Sequence, residues 1–254
     1  FPPKSRFDAA VQHFGEEDGH GGQVSYAEAG FGIFLRQMLR FISFMILSWA
    51  FTVCPLKAQD LYFEHFSKAE GLPSERAGRL LQDRRGFIWI GTNNGLCRFD
   101  GYAFKIFRHR PGDPQSLAGN IIRTLYEDRG GRIWVGTEGG LSGYDSRTDK
   151  FVSYMHEPGN PESINNTFVF SIYEDAVGRL WTATWNGGLQ EFDRNTGKFR
   201  SFFPTAEAKE RSADLFCSPV FPDRHRPGHF WIAMTLDGVW QLYSYNTADN
   251  TFSP

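Results

Sequence analysis

The residues whose chemistry is most worth testing are aspartates, histidines and tryptophans that recur at matched intervals. Asp83, Asp128 and Asp175 each stand three residues before a glycine (Gly86, Gly131, Gly178) and six before a tryptophan (Trp89, Trp134, Trp181). A pair of such carboxylates on one rim would suit general acid–base work. An aspartate three residues before a glycine also makes a tight turn, because its side chain accepts the turn amides and the glycine supplies the positive φ. Repetition in every copy favours the turn over catalysis. The same logic applies to His109 and His156, which follow aromatic residues at matching places and read as structural or surface groups, not metal ligands. His225 and His229 flank Pro227-Gly228 and read as a solvated loop. Cys54, Cys97 and Cys217 lie too far apart for zinc-type pairing, and a Cys97–Cys217 disulfide requires their strands to meet. No nucleophile elbow, phosphate loop or HExxH motif is present. The chain therefore reads as non-enzymatic, with no cofactor and no metal.

These residues are positioned by a repeat. QDRRGFIWIGTNNGLCRFD from Gln82, EDRGGRIWVGTEGGLSGYD from Glu127 and EDAVGRLWTATWNGGLQEFD from Glu174 superpose, and PDRHRPGHFWIAMTLDGVWQL from Pro222 is a looser fourth copy. Their tryptophans, Trp89, Trp134, Trp181 and Trp231, are 45, 47 and 50 residues apart. Each copy parses into four short strands with glycine turns between them. The pattern predicts an all-β fold, a β-propeller of four-stranded blades. The fourth strand carries aromatics at i and i+3 (Phe63/Phe66, Phe104/Phe107, Phe151/Tyr154, Phe199/Phe202), which point to opposite faces of a strand. A blade packed on both sides accommodates that arrangement. Repeat boundaries drawn at the aromatic strands give blades of roughly 63–103, 104–150, 151–198 and 199–254. Four blades read as an incomplete ring, which leaves blade faces and an edge strand uncovered.

Composition agrees. The chain has 254 residues, a net charge of −2 and 16% aromatic residues, so it needs a packed core and lacks the basic surface that nucleic acid would require. Upstream of the repeats, Phe41–Val53 is an apolar run of 13 preceded by Arg36 and Arg40. It is shorter than the roughly 20 residues of a membrane span. Residues 38–58 read as a signal peptide cleaved after Ala58. A retained anchor, lipidation at Cys54 and a buried helix stand as alternatives. Residues 1–37 read as unstructured upstream sequence.

The motif Asp-x-x-Gly, then aliphatic-Trp-aliphatic-Gly-Thr, then Gly-Leu and aromatic-Asp resembles the two-component regulator propeller repeat, over about residues 61–254. Gly71-Leu72-Pro73-Ser74 resembles the opening of that family's first repeat. Ala183 and Ala233 replace the motif glycine in the third and fourth copies. The resemblance implies the extracytoplasmic sensor of a Bacteroidetes hybrid two-component system, present as an amino-terminal fragment. It further implies a periplasmic propeller on an inner-membrane parent, an oligosaccharide or other small ligand, further blades and a downstream histidine kinase as partners, and a homodimer as an option. A non-catalytic interaction or dimerisation propeller is the second reading, and a propeller lyase or glycosidase the third.

Binding sites on such a ring belong where the copies differ. The loops between second and third strands share a rim and read Asn93-Asn94, Glu138-Gly139, Trp185-Asn186 and Leu236-Asp237. Trp185 is the outlier, an extra aromatic in a loop with one inserted residue. An aromatic face beside Asn and Glu side chains suits a sugar, so Trp185, Asn186, Glu138, Asn93, Asn94 and Asp237 form the candidate ligand site.

Overall fold

The computed structural model describes residues 36–45 and 65–254, position 237 excepted, and the chain divides into two units, 1–63 and 64–254. In the first unit, residues 36–45 are helical and all exposed. The cleavage position after Ala58, Cys54 and Phe63 lie outside the described residues. None of the described helices is long and apolar enough to cross a membrane.

The second unit consists of antiparallel sheets. The first contains β1 (Ala77–Gln82), β2 (Ile88–Thr92), β3 (Gly95–Phe99) and β4 (Phe104–Phe107). The second contains β5 (Ile122–Glu127), β6 (Ile133–Thr137), β7 (Leu141–Asp145) and β8 (Lys150–Tyr154). The third contains β9 (Val169–Glu174), β10 (Leu180–Thr184), β11 (Gly188–Phe192) and β12 (Phe199–Phe202). The fourth is built on β15 (His229–Leu236) and β16 (Val239–Asn246), flanked by β13 (Phe216–Cys217), β14 (Phe221–Pro222) and β17 (Thr251–Ser253). The first strands of successive sheets adjoin, β1 to β5 and β5 to β9, and so form the inner side of a propeller.

The sheets do not end where the repeat boundaries at 104, 151 and 199 fall. Phe104–Phe107 is hydrogen-bonded to Gly95–Phe99 and closes the first sheet, because the short turn at Asp100–Ala103 folds it back locally. The sheets therefore run 77–107, 122–154, 169–202 and 216–253. Residues 65–76, which hold Phe66 of the earliest aromatic pair, contain no strand. Phe66 instead packs edge-on against Phe104, with ring centroids 5.4 Å apart.

The recurrent aspartate explains both the turn and the tryptophan. Asp83 Oδ1 accepts from the amides of Arg85 and Phe87, while its Oδ2 accepts from Trp89 Nε1 at 2.9 Å. Asp128 receives Trp134 Nε1 at 2.8 Å and Asp175 receives Trp181 Nε1 at 3.0 Å. One buried carboxylate thus caps the turn and satisfies the indole that must be buried between sheets. These aspartates are structural. The same rim carries a latch from sheet to sheet, in which Glu127 accepts from the Arg84 amide and Glu174 from the Arg129 amide at 2.7 Å.

Trp89, Trp134 and Trp181 each face the following sheet. Trp89 packs in the cluster with Ile133 and Phe151, Trp134 with Leu180 and Phe199, and Trp181 with Phe230 and Tyr245. The i, i+3 aromatics divide the same way. Phe151 joins the cluster between sheets one and two, whereas Tyr154 packs against the one between sheets two and three. At the two ends of the array, no described residue covers the outer sheet faces. Leu80 is 72% exposed on the outer face of the first sheet, and Phe221, paired with Trp231, is 59% exposed on that of the fourth.

Cys97 and Cys217 sit in the first and fourth sheets, both buried and both free. Burial pushes their thiols up to about 11 and about 12 respectively. Because the thiolate is the nucleophile, both are expected to resist a thiol reagent at pH 8 in the native protein and to react on denaturation. A Cys54→Ser variant, which leaves only these two, should therefore show no rapid native labelling. Stoichiometric labelling of either without denaturant would contradict the packing.

Candidate ligand-binding rim

The rim opposite the aspartate turns is formed by the β2–β3, β6–β7 and β10–β11 loops and by the connections between sheets. In the first two loops a threonine locks the turn. Thr92 Oγ1 accepts from the Asn94 amide and donates to Gly95 O, and Thr137 Oγ1 does the same for Gly139 and Gly140. The inserted residue in the third loop breaks this lock. Thr184 Oγ1 is buried without a partner, Asn186 takes a φ of +54°, and Asn186 Oδ1 is also buried without a partner. Trp185 is thereby raised onto the rim, 41% exposed, with its amide held by Phe168 O at 2.9 Å.

The inner strands β1, β5 and β9 each carry a bulge just below this rim, where the pairing register shifts at Gly78, Arg123 and Phe170. A bulge frees one residue from the ladder and re-aims its side chain. Arg123 is ion-paired to Glu138 and lies over the Phe170 ring at 5.8 Å. Phe170 is 5.2 Å from Trp185 between ring centroids, and Trp185 meets Phe216 edge-on at 4.1 Å. Glu138 and Trp185 thus belong to one connected group. Arg123, Phe170 and Phe216 enlarge it and were not among the residues expected from sequence. The available signal was that Gly78, Arg123 and Phe170 differ while their strands otherwise repeat.

The remaining candidates are placed differently. Asn94 serves the loop itself, its Nδ2 donating to Pro73 O at 3.3 Å and its carbonyl accepting from Arg108 Nε at 3.3 Å. Asn93 is exposed in the β2–β3 loop. Asp237 lies outside the described residues. His109 Nδ1 and His156 Nδ1 donate to Leu117 O and Ile164 O at 2.7 and 2.8 Å, which makes them equivalent loop struts. Among the described residues no three His, Cys, Asp or Glu are grouped to hold a metal ion.

Comparison with known proteins agrees with this architecture. The two-component regulator propeller model matches residues 71–94, 116–139 and 163–186. These three segments are similar to two-component regulator propeller repeats. A curated relative, a histidine kinase (P4) of Formosa agariphila, is 36% identical over 77 residues, which is 30% of this chain and 6% of that protein. Among solved structures, the extracellular domain assigned to a hybrid two-component system of Bacteroides thetaiotaomicron is 25% identical with a TM-score of 0.63, covering 75% of this chain and 26% of that one. A second extracellular domain from that organism, of a one-component system, shares the fold with a TM-score of 0.53 at 23% identity, covering 68% of this chain and 24% of that one. The chain thus spans a small part of the length of the relatives it matches.

Proposed function

We propose that this propeller is the extracytoplasmic ligand-sensing part of a hybrid two-component system, that it senses an oligosaccharide, and that its occupancy controls a downstream histidine kinase. On this reading residues 38–58 export the propeller to the periplasm and the parent protein sits in the inner membrane. The observation that carries the reading is the aromatic group at Trp185, Phe170 and Phe216, raised onto one rim beside the Arg123–Glu138 pair. Aromatic faces stack on sugar CH groups while the charged pair offers hydrogen bonds to hydroxyls. The uncovered outer faces of the first and fourth sheets are the surfaces that further blades of the parent protein would cover, and they also fit the alternative of a dimerisation propeller.

The test is oligosaccharide binding by the chain, measured by calorimetry across a panel of plant and microbial glycans. Trp185→Ala is expected to weaken the bound glycan by about tenfold or more, as for an exposed aromatic anchor. A propeller that binds no glycan, or binds it equally well without Trp185, is not an oligosaccharide sensor of this kind.

A further inference from the structure

The third and fourth sheets depart from the repeat on the same rim, in two ways. The β12–β13 connection contains a helix, Ala206–Glu210, and a 3₁₀ turn, Ser212–Asp214, where the earlier connections contain only turns. The β15–β16 hairpin has eight-residue strands where the equivalent strands have five, so the Thr235–Trp240 pair stands beyond the rim reached by the other sheets. Between these additions lies a cleft of about 530 Å³, walled by Arg211, Asp214, Phe216, Thr235, Trp240 and Asn186. Small-molecule clefts commonly measure about 300–1,000 Å³.

The lining is chemically specific. Trp240 is 59% exposed and supplies a broad apolar face. Thr235 is buried, and neither its Oγ1 nor Asn186 Oδ1 has a hydrogen-bond partner. Buried polar oxygens are ordinarily satisfied, so two together at one cleft mark a place where an occupant's hydroxyls belong. Charge on the wall is compensated, since Arg211 is paired with Asp214 and Glu207 at 3.6 Å each. The aromatic group of the rim connects directly, because Phe216 lines the cleft and receives Trp185 edge-on.

We infer that this cleft is the subsite that seats the ligand, and that the ligand there is an uncharged sugar ring lying on Trp240 with its hydroxyls directed at Thr235 and Asn186. The inference rests on the oligosaccharide reading above and fixes its place and charge class. A uronate or sulfated sugar would meet the Asp214 carboxylate, while the cation of the lining, Arg211, is already engaged by Asp214 and Glu207.

The experiment uses the 254-residue chain, titrated with neutral gluco-, manno-, xylo- and arabino-oligosaccharides and with oligogalacturonate, and read by calorimetry and by indole N–H resonances. A neutral oligosaccharide is expected to bind, to shift the Trp240 indole, and to bind about tenfold or more weakly in Trp240→Ala, whose backbone spectrum should otherwise match the parent. Binding unchanged in Trp240→Ala, or a preference for oligogalacturonate, overturns the subsite and leaves the sensing function standing. Failure of every saccharide to bind the parent chain overturns both.

Discussion

Trp134→Ala is expected to cost about 3–5 kcal/mol, as for other fully buried aromatics cut to alanine, and so to remove much of the stability of a domain of this kind, which is about 5–15 kcal/mol. Trp134 has no exposed surface, packs edge-on against Phe192 at 5.3 Å, and lies in the cluster that joins the second sheet to the third. Its loss leaves a cavity between sheets and removes the donor that Asp128 Oδ2 holds at 2.8 Å. Asp128→Ala attacks the same unit from the other side. It strands a buried indole N–H, at about 1–3 kcal/mol, and uncaps the turn amide of Arg132. Because the two side chains share a bond, the double variant should cost less than the sum of the singles, with a coupling of about 0.5–3 kcal/mol. Urea unfolding followed by circular dichroism measures all three. Trp231→Ala is the control. It occupies the same repeat position but is only half-buried on the uncovered face of the fourth sheet, so it should cost much less. Equal costs at Trp134 and Trp231 would mean that packing between sheets is not what the tryptophan provides.

That contrast also marks how far the sequence could be read. The repeat displayed its strands, its turns and its tryptophans, because each is a local consequence of residue type and spacing. The opposite-facing aromatics were legible for the same reason, and Phe151 and Tyr154 occupy neighbouring clusters as the strand period requires. What was not legible depends on pairing in space. The bond from Asp128 to the Trp134 indole joins residues six apart that meet only when the hairpin closes. The aromatic strand belongs to the sheet before it because a short turn folds it back, whereas periodicity alone permits either boundary. At the rim, the inserted residue beside Trp185 was visible as a difference between copies. The bulges that turn Arg123 and Phe170 toward it were not, since a register shift depends on the partner strand. Thr235 and Trp240 were missed because the longer hairpin is apparent only against the height of its neighbours.

Gly140→Ala is expected to be nearly as damaging as Trp134→Ala, and the reason lies in the loops that build the rim. Gly140 has a φ of +139°, and a Cβ there would stand 2.2 Å from the carbonyl oxygen of Tyr154, a backbone atom of the neighbouring strand that cannot rotate away. Backbone strain at such a position costs about 1–3 kcal/mol, and forcing β7 away from β8 adds an overpacking cost of about 1–3 kcal/mol. Gly95 is its counterpart in the first sheet, with a φ of +116° and a Phe107 carbonyl at 2.6 Å. Gly188, in the third, has a φ of +78° and meets a Phe203 ring carbon at 3.0 Å instead of a carbonyl. The one-residue insertion that raises Trp185 has moved the third loop out of the tight conformation of the first two. Alanine should therefore destabilise in the order Gly140, Gly95, Gly188, and thermal unfolding of the three variants measures that order. If Gly188→Ala proved the most costly, the third loop would be as tightly closed as the others. Trp185 would then sit on a rigid hairpin, without the relaxed turn that leaves Thr184 and Asn186 unpartnered beneath it.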